Sequence, residues 1–215
     1  MTKRLAQIFS LIPNCVVFAD IGCDHGYIAK EMISKGKCQK VIISDISEKC
    51  LQKAKDLLYS ELQNGKAFAV VSDGFKKLPN CDLALIAGMG GEEICNILNM
   101  AKTLPNSLVL QPMKNTSKVR KCLIDLGYAL KKDLTFRVGR IFYDIILATK
   151  GQDFLTEEEI EFGRTNLTDK PKAFIEFLQN KLKVLENVSN KKDIKQETKE
   201  QLILETERLS KYVKN

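Results

Sequence analysis

Residues 15–27 read CVVFADIGCDHGY. The first six are short, apolar and rich in β-branched side chains, which predicts a buried strand ending on Asp20. Gly22 and Gly26 then mark a turn, and a helical pattern covers 25–35. Outward from this unit the same alternation continues. Residues 40–45 (KVIISD), 67–72 (AFAVVS), 82–87 (DLALIA) and 107–111 (SLVLQ) read as strands buried on both faces. Helical stretches near 47–63, 91–102 and 116–126 separate them. Strand–helix alternation predicts a parallel sheet wound on both sides. Residues 128–138 and 140–149 are two further β-type runs divided only by Gly139 and its neighbours. So short a connection forces an antiparallel hairpin.

After Gly151 the pattern changes. Thr156 and Glu159 form a capping box, and Asp169 with Pro171 marks another helix start. Ile175, Leu178, Leu182 and Leu185 follow the 3–4–3 spacing of a coiled-coil seam. Residues 187–192 read as a polar turn, and a second helix runs to about Tyr212 with Leu202 and Leu209 seven apart. The expected organisation is an α/β domain over 1–151 and an α-helical coiled-coil hairpin over 152–215.

The chain has 215 residues, 44% of them hydrophobic. No run approaches the roughly 18 apolar residues of a membrane span, and the N-terminus lacks a secretory h-region. A cytoplasmic globular protein is expected. The seven cysteines include no C-x-x-C pair, and His25 is the sole histidine. A disulfide framework or a metal site is therefore not expected. Net charge is +7. Residues 1–150 hold 22 Lys+Arg against 14 Asp+Glu, a net of +8, whereas 151–215 hold 12 against 13, a net of −1. Basicity concentrated on the α/β domain fits a polyanion such as RNA; a lysine-rich proteome is the alternative.

The turn D-x-G-x-x-x-G at Asp20, Gly22 and Gly26 lacks the third glycine of the pyrophosphate-binding fingerprint. S-adenosylmethionine has no pyrophosphate but carries a cation, which Asp20 suits. Asp45 ends the second strand, where an acid can hold ribose hydroxyls. Asp73-Gly74 follows the third strand, where an acid can meet the adenine amine. Gly88, Gly90 and Gly91 follow the fourth strand and allow close backbone approach to a ligand. A parallel sheet closed by an antiparallel hairpin is the sheet of class I methyltransferases. The Asn/Asp-Pro-Pro-Tyr sequence common in exocyclic-amine methyltransferases is absent at 87–91.

The stretches ADIGCDH (19–25), AGMGG (87–91), LQP (110–112) and GRIFYD (139–144) together resemble the bacterial tRNA (adenine(22)-N(1))-methyltransferase family, over nearly the whole chain. The resemblance implies a Rossmann-like catalytic domain followed by helices, S-adenosylmethionine as cofactor and tRNA as partner. It also implies methylation of ring nitrogen 1 of a D-loop adenine, without metal. Asp20, Gly22, Gly26, Asp45, Asp73, Gly74 and Gly88 are then candidates to hold the cofactor. Asp24, His25 and Tyr27 are candidates at the methyl-transfer pocket, Asp24 to stabilise developing positive charge and Tyr27 to stack on a flipped base. Their alternatives are a helix cap, a loop histidine and a core contact. Gly90, Gln111, Pro112, Lys114, Lys118 and Arg120 are candidates for the RNA side, the cations for phosphates. The pattern departs at Met113, where the family is expected to carry Asn, so a polar contact there stays open. Neither the residues nor the resemblance sets the oligomeric state; a monomer is one option. The competing functions are a class I methyltransferase acting on another RNA or a small molecule, and a non-enzymatic RNA- or protein-binding module that retains the fold.

Overall fold

A computed structural model describes residues 1–190 and 195–214. Helix α1 (Lys3–Leu11) opens the chain, its N-terminus capped by the Thr2 hydroxyl. Then follow β1 (Val17–Ile21), α2 (Tyr27–Ser34), β2 (Lys40–Asp45), α3 (Glu48–Leu57), α4 (Tyr59–Gln63) and β3 (Ala67–Val71). The second half of the sheet comprises β4 (Leu83–Met89), α5 (Gly91–Asn99), β5 (Ser107–Pro112), α6 (Thr116–Asp125), β6 (Tyr128–Val138) and β7 (Ile141–Lys150). Four helices complete the chain: α7 (Glu157–Phe162), α8 (Arg164–Asp169), α9 (Lys172–Ser189) and α10 (Gln196–Lys214).

The seven strands lie in the order β3-β2-β1-β4-β5-β7-β6. β1 to β5 are parallel and β7 runs antiparallel to both β5 and β6. The expected mixed sheet is therefore present. Alternation along β1 splits the core in two: Phe18 packs with Ile8, Ile12, Met32 and Leu51, while Ala19 and Ile21 pack with Ile94, Leu98 and Leu123. Two-sided burial of this kind explains why the parallel strands read as continuous apolar runs.

Three expectations need correction. Residues 47–63 are two helices, because Leu58 (φ −102°, ψ 21°) leaves the helical conformation. Residues 187–189 still belong to α9, and Lys191 and Lys192 of the expected turn lie outside the described residues. The segment from 156 on contains two short helices before the α9–α10 pair, in which Leu178 and Leu209 share one core and Lys181 pairs with Glu205 at 3.1 Å. No described helix is long and apolar enough to cross a membrane.

The C-terminal helices are fastened to the sheet through its open edge. Among the described residues β6 has no strand on its outer side, and such an edge invites unwanted pairing. Here its amides are taken up by side chains: Leu130 N–H donates to Asp153, Asp133 N–H to Thr165 Oγ1 and Thr135 N–H to Asn166 Oδ1. Beneath them, Arg120 and Asp133 form a bidentate pair (2.6 and 2.9 Å), both side chains 1% exposed. Arg120 Nη1 also donates to the Ile160 and Glu161 carbonyls, which end α7. Gly163 (φ +90°) abuts this pair, and a Cβ there would lie 2.7 Å from the Asp133 carboxylate. Strain and overpacking together set the expected cost of Gly163→Ala at about 3 kcal/mol. Urea unfolding checks it; a loss below about 1 kcal/mol means that Asp133 can step aside.

Candidate active site

The sheet order reverses between β1 and β4, and at such a switch point the carboxyl ends of parallel strands leave a crevice. A cleft of about 620 Å3 lies there, within the range of small-molecule sites. Asp20 lines it, one residue before β1 ends, and is only 7% exposed. The backbone of Ala29 in α2 partly offsets the burial of its charge. Burial pushes the Asp20 carboxyl up to about 7, with no cation beside it among the described residues. An uncompensated acid in a ligand-sized cleft suits a cationic ligand.

Gly22 (φ +68°) turns the chain off the sheet, and its amide and that of Cys23 donate to the Ser44 carbonyl. The Met89 side chain fills the place of a Cβ there. Asp45 lines the cleft from the end of β2, its Oδ1 accepting the Ser47 amide at 2.9 Å. Asp73 lines it after β3, paired with Lys76 at 2.6 Å, and Gly74 packs beneath Ile97 of α5. Gly88 (φ +83°) lies at a register shift between β4 and β5, so the bulge brings bare backbone to the cleft wall. Gly26 is a correction: a Cβ there would meet Ala54 and Leu58, so it fits α2 against α3 and does not line the cleft.

Asp24, His25 and Tyr27 stand together at the rim. Asp24 (φ +44°) receives Lys53 Nζ at 2.9 Å and has His25 Nε2 at 3.5 Å. The N-cap of α2 is Gly26, so Asp24 is not a helix cap. His25 and Tyr27 stack with centroids 5.3 Å apart and 19° between planes, and Tyr27 is 41% exposed. Tyr27 is therefore an open aromatic surface and not a core contact.

The RNA-side candidates are scattered, and none lines the cleft. Gly90 packs on the Lys114 side chain, and Lys114 and Lys118 are exposed, Lys118 paired with Glu92. Pro112 is buried at the end of β5. Gln111 is fully buried, its Oε1 accepting Arg4 Nη1 at 3.1 Å and its Nε2 donating to the Pro112 carbonyl. Arg120 is the plain correction: it is enclosed and its fork is occupied by Asp133, so it cannot reach a phosphate. Met113 is half exposed, its sulfur 3.4 Å from Arg4 Nη1.

Sequence reasoning missed α1, which brings Arg4 into the cleft, and Lys53, which pairs with Asp24. Thr2 as an N-cap ahead of Leu5, Ile8 and Ile12 was the available signal for α1. Nothing local marks Lys53, since its partner lies 29 residues away.

A family model described as tRNA (adenine(22)-N(1))-methyltransferase matches residues 18–213. A Mycoplasma pneumoniae protein provisionally assigned as a tRNA methyltransferase is 35% identical over 182 residues, 79% of this chain and 84% of the relative. The tRNA (adenine(22)-N(1))-methyltransferase of Bacillus subtilis is 30% identical over 156 residues, 70% of this chain and 66% of that protein. The Mycoplasma capricolum TrmK structure in complex with S-adenosyl-homocysteine shares the fold, with a TM-score of 0.85 at 24% identity over 100% of this chain and 98% of that one.

Proposed function

Because the chain belongs to the tRNA (adenine(22)-N(1))-methyltransferase family, we propose that it moves a methyl group from S-adenosylmethionine to ring nitrogen 1 of adenine 22 in tRNA. The observation that carries this reading is the buried, cation-free acid Asp20 in a ligand-sized cleft with an open aromatic stack at its mouth. The structural relative solved with S-adenosyl-homocysteine supports the same cofactor class.

The residues present fit the cofactor. Asp20 offers a carboxylate to an ammonium, Asp45 keeps one oxygen free for ribose hydroxyls, and Asp73 stands where an adenine amine can be met. Gly22, Gly74 and Gly88 take the left-handed turns that shape the cleft wall around it. Bound there, S-adenosylmethionine would supply an electrophilic methyl on a sulfonium; the lone pair of adenine nitrogen 1 would form the N–C bond as the S–C bond breaks, with S-adenosyl-homocysteine as the leaving group and no proton to remove first. The protein's share is then positioning and electrostatics. Tyr27, backed by His25, gives a flipped base a face to stack on. Asp24, held by Lys53, places negative charge beside a ring that becomes cationic. Residues 1–151 act as the catalytic domain and 152–215 as a helical appendage, in the cytoplasm where tRNA is found. Lys114 is exposed and available for phosphates, whereas Lys118 would have to leave Glu92 to meet one.

The direct test is methyl transfer from labelled cofactor to unmodified bacterial tRNA, with the nucleoside identified by mass spectrometry. The expected product is 1-methyladenosine at position 22; cofactor binding without transfer to tRNA moves the substrate elsewhere. Tyr27→Ala is expected to lower turnover about 10- to 100-fold, the worth of one base stack. Tyr27→Phe keeps most activity, and neither changes S-adenosyl-homocysteine affinity. Full turnover by Tyr27→Ala removes the stacking role.

A further inference from the structure

Asp20 is not the sole unpaired charge in the cleft. Five acids line it (Asp20, Asp24, Asp45, Asp73 and Glu93) against two permanent cations, Arg4 and Lys76. Lys76 is paired with Asp73 at 2.6 Å. Arg4 is different. Its Nη1 donates to the neutral Gln111 Oε1 at 3.1 Å and approaches the Met113 sulfur at 3.4 Å. Its guanidinium carbon stands 5.9 Å from the Tyr143 ring centroid, and it makes no ion pair among the described residues. Nε and Nη2 have no hydrogen-bond partner there either, so half of the fork is free inside the cleft.

The guanidinium is also held in place. The fully buried Gln111 amide fixes Nη1, while Nη1 and Nη2 lie 3.4 and 3.6 Å from the Cβ position of Gly88. Gly88 is two residues beyond Ile86, which pairs with Ile21. Arg4 therefore stands beside the Gly22 turn, at the end of the strand that carries Asp20. One cleft thus presents a fixed anion and a fixed cation that do not neutralise each other. An α-amino acid group presents the two complementary charges, and the surrounding acids would repel its carboxylate if nothing offset them.

We propose that Arg4 of α1 binds the carboxylate of the cofactor's amino-acid group, with Gln111 as the positioning residue that aims it. This rests on the methyltransferase reading above and adds to it the group that selects a cofactor with an intact carboxyl. An RNA phosphate is the other anion that the free fork can take, and the test separates the two.

The experiment is calorimetric binding of S-adenosyl-homocysteine and of its decarboxylated analogue to the full chain and to Arg4→Lys and Arg4→Met. Expected is a preference of at least tenfold for the carboxylate-bearing ligand in the unaltered protein, reduced in Arg4→Lys and lost in Arg4→Met. The analogue should bind all three alike, which also reports that the variants are folded. Equal affinity of the unaltered protein for both ligands overturns the proposal whatever the variants do. So does a preference that survives in Arg4→Met while tRNA affinity falls, which would give Arg4 to the RNA. Failure of the unaltered protein to bind either ligand would instead overturn the methyltransferase reading itself.

Discussion

Replacing Asp20 by Asn is expected to make the protein more stable at pH 8 while cutting S-adenosyl-homocysteine affinity about 100-fold, the range for losing a charged partner at a buried site. Burial takes this carboxyl from an ordinary 3.8 to about 7. Below pH ~4 it is protonated in both the folded and unfolded chain and costs nothing. Between about 4 and 7 only the unfolded chain releases the proton, so folded-state stability falls as pH rises. Above 7 the buried anion carries the whole cost, on the order of 4 kcal/mol. Asn never ionises and escapes that loss. For a chain of this size the gain in Tm is roughly 10 °C at pH 8 and close to nothing near pH 4.

Cofactor binding has the opposite requirement. A cationic ammonium needs the carboxylate, so affinity of the unaltered protein should weaken about tenfold per unit below pH 7 and level off above it. The Asn variant should show no such slope. Melting curves from pH 4 to 8 and calorimetry over the same interval check both halves. The same pH slope in both proteins would mean that another group governs cofactor binding.

Arg120→Met should cost 3–5 kcal/mol, the range for stranding one partner of a buried ion pair. The substitution leaves Asp133 enclosed with no counter-charge and frees the carbonyls of Ile160 and Glu161 that Arg120 now holds. Because an enclosed carboxylate without its partner takes up a proton at higher pH, the deficit should shrink as the medium is acidified towards pH 5. A double change to Arg120→Met with Asp133→Leu should recover part of the loss, since a packed apolar pair replaces a stranded charge. Denaturant unfolding at pH 5 and 8 measures all of this. The salt dependence of tRNA binding should keep its slope in any variant that stays folded, because Arg120 makes no phosphate contact. A reduced slope would return Arg120 to the RNA surface.

The expectation for Arg120 failed for an instructive reason. In the run from Thr116 to Asp125, a basic side chain after a loop looks like a solvated cation on the ligand side. Its acid partner is 13 residues away and the carbonyls it holds are 40 and 41 away. The same distance problem hid Arg4, whose anchor Gln111 lies 107 positions along the chain. Gln111 reads in the sequence as a residue at the sheet edge, but its amide turns to Arg4 and to its own neighbour's carbonyl. Gly26 sits in the glycine turn, but its fit against Ala54 and Leu58 depends on how α2 and α3 pack.

What the amino-acid sequence by itself determined was whatever a few neighbouring residues can encode. Strand and helix periodicity, the short link at Gly139 that forces the hairpin, and acids at the ends of three successive strands are all local signals. A parallel sheet places such strand ends at one edge, so Asp20, Asp45 and Asp73 reach one cleft without further instruction. Only the tertiary structure decided which charges are neutralised. It enclosed Arg120 with Asp133, tied Lys53 to Asp24, and left Asp20 and Arg4 unpaired in the same cleft. Charge pairing depends on separations of a few ångströms between groups far apart in the chain, and no local pattern of residues specifies those.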